Sequence, residues 1–204
     1  MNYPIILIDN GHGTRQYTKG KRSPDQSLIE GEYCRQVARR VVDGLEARGL
    51  TAFQLVKEDE DIGLSARANR ANAYCSMYGA KNVLLVSIHC NAAGDGKTWM
   101  EGTGWEAWTT VGKTKSDLLA ECLYEAAQKA LQGFRMRTDK SDGDSDKEKD
   151  FTIIYKAKCP AVLTENLFMD NRGDLAFLLS DAGQKAIAKL HIEGIIDYID
   201  KYFV

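Results

Sequence analysis

The chain has 204 residues and no apolar run long enough to cross a bilayer or to form the hydrophobic stretch of a signal peptide. Its start, Met1-Asn2-Tyr3-Pro4, carries no basic leader, and Ile5 to Ile8 is far too short for either role. The expectation is a protein made in the cytoplasm without a signal peptide and not inserted in a membrane. A dominant charge is also missing: 27 Lys and Arg against 29 Asp and Glu leave a net charge of -2. That balance provides no basic field to hold nucleic acid or an anionic lipid surface. Five cysteines, at 34, 75, 90, 122 and 159, are an odd number with no C-x-x-C pair. They fit neither a disulfide framework nor a cysteine zinc site and read as reduced thiols, mostly in the core. No internal repeat or long linker divides the chain. With 44% hydrophobic and 27% charged residues, one globular domain over 1–204 with a sizeable core is expected. Nothing in the sequence sets an oligomeric state.

What is present is an alternation of strands and helices. Ile5-Ile6-Leu7-Ile8 reads as a buried strand ending at Asp9-Asn10-Gly11. From Glu30, apolar Val37, Val41, Val42 and Leu45 recur at helical spacing until Gly49, a suitable C′ residue. Thr51 to Val56 follows as a strand, Leu64 to Tyr78 as a helix, and Asn82 to His89 as a central strand. Gly104 to Thr110 reads as a further strand, Ser116 to Leu131 as a helix, and Ala161 to Thr164 as a buried strand after the Phe151 to Tyr155 segment. A last helix begins near Ala182. The pattern predicts a three-layer α/β domain, a twisted central sheet with helices on both faces and functional residues at strand ends. Asp139 to Asp150, dense in Lys, Ser, Gly and Asp, reads as a solvated, mobile rim. Its Asp142-Gly143-Asp144-Ser145-Asp146 lacks the glycine and terminal glutamate placement that an EF-hand requires.

Two of only three histidines fall where strands end: His12 in Asp9-Asn10-Gly11-His12-Gly13, and His89 in Val86-Ser87-Ile88-His89-Cys90-Asn91. Imidazole is the commonest zinc-binding side chain, and a strand end holds it rigidly at a cleft. Each histidine alone reads equally as a hydrogen-bonded structural residue. A catalytic zinc has three protein ligands and an open position, so a carboxylate is needed, with Glu30 and Glu32 as candidates. Against Glu30 stands a capping box, Ser27-Leu28-Ile29-Glu30, which would occupy its carboxylate at a helix start. Glu165 directly follows the apolar strand in Cys159-Pro160-Ala161-Val162-Leu163-Thr164-Glu165-Asn166. Desolvated beside a cleft, it could exchange protons with a zinc-activated water and a leaving amine; exposed, it would be an ordinary strand-end glutamate. Cys90 reads as a small buried apolar residue. Trp99, Trp105 and Trp108 follow the His89 motif and would pack against sugar or peptide if exposed, whereas strand-borne Trp105 and Trp108 more commonly face a core.

Taken together these residues resemble the zinc N-acetylmuramoyl-L-alanine amidases of the type 3 amidase family, over nearly the whole chain. The family's strand and G-H-G turn match Ile5 to Gly13, with Asn10 where a proline is usual. Counting from Glu30 to the family's Asn and Ala positions gives Cys34 and Ala38; counting from Glu32 gives Gln36 and Arg40. The family's Arg and Ala-Asn match Arg67, Ala71 and Asn72, and its S-I-H-x-N-A matches Ser87 to Ala92. Its closing motif appears as Pro160, Leu163, Glu165, Phe168 and Asn171, with Asn166-Leu167 in place of a small residue and glycine.

The resemblance implies Zn2+ held by His12, Glu30 and His89, with Glu165 as the catalytic acid and base, in a single amidase catalytic domain. The implied reaction is hydrolysis of the amide between N-acetylmuramic acid and L-alanine in peptidoglycan or a muropeptide. Two alternatives remain open: a zinc amidohydrolase or peptidase for another N-acyl amino acid or peptide, and a non-catalytic peptidoglycan-binding module. A lysin released to the wall by a holin-like route and a cytoplasmic recycling enzyme both fit the expected lack of an export signal.

Overall fold

A computed structural model describes residues 3–18 and 20–203. Met1 and Asn2, part of the stretch read for a leader, lie outside it. The elements are β1 (Ile5–Asn10), α1 (Glu30–Glu46), β2 (Thr51–Gln54), α2 (Leu64–Tyr78), β3 (Val83–Asn91), β4 (Trp105–Thr109), α3 (Lys115–Ala130), β5 (Lys147–Glu148), α4 (Thr152–Tyr155), β6 (Ala161–Phe168), α5 (Arg172–Leu179) and α6 (Asp181–Tyr202). No helix among the described residues is long and apolar enough to cross a membrane.

One six-stranded sheet has the order β2-β1-β3-β6-β4-β5. β2, β1, β3 and β6 are parallel, and β4 runs antiparallel to β6. The central strands carry continuous apolar runs because both faces are covered. Ile6, Ile8, Leu84, Val86, Ile88 and Val162 pack with Val37, Val41, Leu119, Leu123, Ile187 and Ile195 from α1, α3 and α6. The alternate residues Leu7, Val83, Leu85 and Leu163 pack with Ala68, Ala71 and Ile153 from α2 and α4. This is the expected three-layer α/β architecture. Fully burying each aliphatic side chain stabilises by about 1.5–3 kcal/mol, so the two apolar faces hold the helices in place.

Local chemistry accounts for the boundaries. At the end of α1, Gly49 N–H bonds Glu46 O and Leu50 N–H bonds Leu45 O, with Gly49 at φ 79°. These are the paired bonds of a glycine-terminated helix. Thr114 and Asp117 form a capping box at α3, and the Ser180 hydroxyl caps α6. The sequence left two elements unread, and one reading needs correction. α5 went unread, because its Asn171-Arg172-Gly173-Asp174 start resembles a turn; Asn171 caps it by accepting from the Gly173 and Asp174 amides. Phe151 to Tyr155 ends in a one-turn helix. The 139–150 stretch is not wholly solvated: it contributes β5 to the sheet edge and buries Asp146.

His191, the third histidine, is a core residue of α6. Its Nδ1 lies 2.7 Å from the Ile187 carbonyl, which can only accept, so Nε2 receives the Thr164 hydroxyl at 2.9 Å. Burial drives its pKa down to about 4, against the pull of the Ile187 carbonyl. The neutral form is fully compatible with the fold above the ordinary value of 6.5. As the pH falls from there toward about 4, the unfolded chain takes up a proton that the folded chain refuses, and stability declines, by about 3 kcal/mol at the acid end. Urea unfolding of His191→Gln across that window is expected to show a shallower acid limb than the parent; parallel limbs would remove His191 as the cause.

Candidate metal centre

The strand order reverses at β1: the chain moves from β1 outward to β2 and returns to place β3 on β1's other side. Open α/β sheets bind ligands at the carboxyl ends of strands beside such a reversal. His12 follows β1, and His89 lies near the end of β3. Glu30 is the first residue of α1, where the helix dipole favours a carboxylate. The capping box does not form: Ile29 is the N-cap, with no side-chain bond, while the Ser27 hydroxyl turns to Asp25. Glu30 is thereby free to face the histidines.

His89 Nδ1 lies 3.0 Å from Glu30 Oε1, and His12 Nε2 lies 3.4 Å from Glu30 Oε2. The three donor atoms fall within 4.8 Å of one another, the only such group of three His, Cys, Asp or Glu residues among those described. Glu30 is 2% exposed, and the Cys90 amide also donates to it. Desolvation opposes its ionisation, but the hydrogen bonds and charges of His12 and His89 outweigh that and hold the carboxyl well below its usual range. Glu32 turns away and accepts the Arg15 amide at 3.0 Å, so Glu30 alone of the two candidates joins the histidines. A Cβ on Gly11 would come within 2.3 Å of His89 Cε1, and one on Gly31 within 1.9 Å of the Gly13 carbonyl. Both glycines clear the close approach that forms the cradle.

His12 has a φ of 59°, a left-handed conformation that costs a non-glycine residue about 1–2 kcal/mol. Two buried arginines hold it. Arg35 Nη1 donates to the His12 carbonyl at 2.8 Å and to Gly31, and Arg67 Nη2 donates to the same His12 carbonyl at 3.2 Å. Arg67 also pairs with Asp9 at 2.8 Å and donates to the Asn10 and Ile62 carbonyls; Asp9 in turn accepts the Ser87 hydroxyl. Arg67, matched by motif alone, is therefore a support of the His12 turn. Its motif partner Asn72 is remote from the histidines and pins the turn before β6 through Lys156 and Lys158.

Glu165 pairs with His89 in the parallel β3–β6 register and with Glu106 in the antiparallel β4–β6 register, so all three side chains leave the same sheet face. Glu165 is half-buried, but its Oε2 is fully buried and has no hydrogen-bond partner. Burial pushes its pKa well up, and the nearby Glu30 and Glu106 charges add to the rise. Just beyond it, Leu167 has a φ of 64° where the resembled motif carries glycine; its complete burial offsets the backbone strain. Glu106 escaped sequence analysis. It is buried and accepts from Arg137 at 2.7 Å, Lys147 at 2.8 Å and Asn91 at 2.9 Å. A lone glutamate among the aromatics of β4 was its signal, but its partners depend on a non-local register. Trp105 is core, as expected on a strand, with Nε1 bonded to Asn166; Trp108 and Trp99 are partly exposed. Cys90 is buried, and all five cysteines are free.

A pocket of about 270 Å³ opens beside the histidines, lined by Asp9, Asp61, Ile62, Leu64 and Arg67 among others. A larger cavity of about 520 Å³ lies at the opposite strand ends, around Lys115, Lys158 and Pro160, and gathers no histidine.

Comparison with known proteins decides the family: residues 6–197 match the N-acetylmuramoyl-L-alanine amidase family, Amidase_3. The chain belongs to it. Among relatives of this amidase-family chain, the endolysin of Bacillus phage SPP1 is 29% identical over 96% of the chain, and N-acetylmuramoyl-L-alanine amidase CwlM of Bacillus licheniformis is 28% identical over 93%. The matches span 66% of each relative's length. In fold, the chain resembles the N-acetylmuramoyl-L-alanine amidase of Clostridium difficile 630, with a TM-score of 0.83 at 24% identity, covering 99% of this chain and 100% of that one. The catalytic domain of CwlV from Bacillus (Paenibacillus) polymyxa var. colistinus gives 0.77 at 22% identity, covering 97% and 98%.

Proposed function

We propose that this chain is a zinc-dependent catalytic domain that hydrolyses the amide between N-acetylmuramic acid and L-alanine in peptidoglycan. The observation that carries the reading is the convergence of His12, Glu30 and His89, with Glu165 one strand away in register with His89. Two imidazoles and one carboxylate at a cleft suit zinc: three protein donors leave one side open. Bound there, zinc would supply Lewis-acid chemistry, making water more acidic and polarising the substrate carbonyl.

The chain's own residues then divide the work. Glu165, poorly solvated and without a partner on Oε2, accepts the proton of the attacking water and returns it to the departing alanine nitrogen. That return is needed because an amide anion is a very poor leaving group. Glu106 is paired with Arg137 and Lys147 and accepts from Asn91, so it stays ionised and does not compete for the proton. Arg35 and Arg67 fix the turn that presents His12. The SPP1 relative's name fits a role as a lysin made in the cytoplasm and released to the wall by a holin-like route.

The test is mass spectrometry of purified peptidoglycan digested with zinc-loaded protein, beside a chelated control. Free stem peptides with new N-terminal alanine and a peptide-stripped glycan are expected only with zinc. Intact lactyl-alanine linkages with confirmed bound zinc would reject the reading, in favour of small N-acyl substrates if those are cleaved and of a binding module if nothing is.

A further inference from the structure

The Asp142-Gly143-Asp144-Ser145-Asp146 run lies at the edge of β4, against α3 and far from the histidines in sequence. Asp146 is only 1% exposed. Its Oδ2 accepts the Thr109 hydroxyl at 2.5 Å, but Oδ1 is buried with no partner. Asp144 Oδ1 is likewise buried and without a partner, and the two carboxylates lie within hydrogen-bond reach of each other. The surrounding charges are negative: Asp117 and Glu121 of α3 and Asp142 of the loop all act on Asp144. Asp117 is spent on capping α3, and Glu121 accepts the Ser145 amide. The adjacent cation, Lys147, turns instead to Glu106. Burial, eased by the Thr109 hydroxyl, pushes Asp146 up to about 7, with Asp144 and Asp117 adding to the rise.

Asp144 is half-buried as a residue, but two buried carboxylate oxygens without a donor and this close together are relieved by a shared proton or a cation. We propose that Asp144 and Asp146 hold a calcium ion between this loop and α3, a site separate from the zinc centre. The available donors are all oxygen, which selects a hard divalent ion. Only two carboxylates converge, so main-chain oxygens and water complete the shell. Such a mixed, irregular shell suits calcium, whereas magnesium demands near-ideal octahedral geometry. The ion would bind a loop that reads as mobile by composition onto the sheet edge. That loop carries Lys147, whose ammonium lies 2.8 Å from Glu106, the strand neighbour of Glu165.

The experiment uses zinc-loaded protein in calcium-depleted buffer, titrated with calcium chloride and followed by calorimetry and thermal unfolding. One equivalent is expected to bind, with Tm rising by about 5–10 °C at a hundredfold excess over Kd. Asp146→Asn, and Asp144→Asn with Asp146→Asn, are expected to fold without calcium, because they relieve the repulsion, and to lose both heat and Tm response. Absence of calcium heat and of a Tm rise in the parent would overturn the proposal and leave a shared proton as the account of the pair. An undiminished response in the folded double variant would overturn it too, as would an equal rise with magnesium at the same concentration.

Discussion

Glu165→Gln is expected to lower turnover on peptidoglycan by about 10²–10⁴-fold, the range supplied by general acid–base catalysis, while zinc stoichiometry stays at that of the parent. The separation follows from geometry. Glu165 is outside the His12–Glu30–His89 group, so the amide should leave the metal donors untouched. Its unpartnered Oε2 is a local cost to the fold, and a neutral side chain of the same shape relieves it. Tm is therefore expected to hold or rise. His89→Ala, by contrast, removes a donor and should lose zinc and turnover together. Metal analysis, thermal unfolding and product assay on the same preparations distinguish the two. Folded Glu165→Gln that has lost zinc would make Glu165 a ligand and sink its assignment as acid and base.

Arg67→Met should cost the fold about 3–5 kcal/mol, the penalty for leaving a buried partner uncompensated. Arg67 and Asp9 are each 1% exposed, so water cannot replace the missing guanidinium. For a chain of this size the loss corresponds to a fall in Tm of about 6–20 °C. Arg67→Lys should recover little, because one ammonium cannot span the Asp9 carboxylate and the Ile62, Asn10 and His12 carbonyls as a planar fork does. Zinc affinity should fall in both variants, since the carbonyl of the strained His12 loses a donor and keeps its bond to Arg35. Parent-like unfolding of Arg67→Met would show that the buried pair contributes nothing net.

How far the sequence revealed this molecule depended on how local the governing physics was. Strands β1 and β3 were legible because burial on both faces writes itself as unbroken Ile, Leu and Val. The α2 limits, Leu64 and Tyr78, were read as they stand. Glu30 was ambiguous for a local reason: a capping box and a ligand glutamate share the same Ser-x-x-Glu spacing, and only the turn of the chain onto Ile29 separates them. Arg35 and Glu106 were hidden, since their partners come from loops and strands distant in sequence. The 139–150 stretch was misread because composition reports average polarity, not where the sheet edge lies. Asn10 departs from the resembled motif. It is fully buried, with Oδ1 bonded to Gln54 and Nδ2 unpartnered.

The strand order also has a consequence for biosynthesis. β1, α1 and β3, which position His12, Glu30 and His89, contact one another and all precede β4 and β6 in the chain. β4 has no sheet neighbours among the described residues except β5 and β6, and β6 must slot between β3 and β4. A ribosome therefore delivers the three histidine and glutamate donors well before the strand that welds the two parts of the sheet together. Glu165 arrives on that last strand, so on the proposed reading synthesis supplies the three candidate metal donors well before the candidate acid and base.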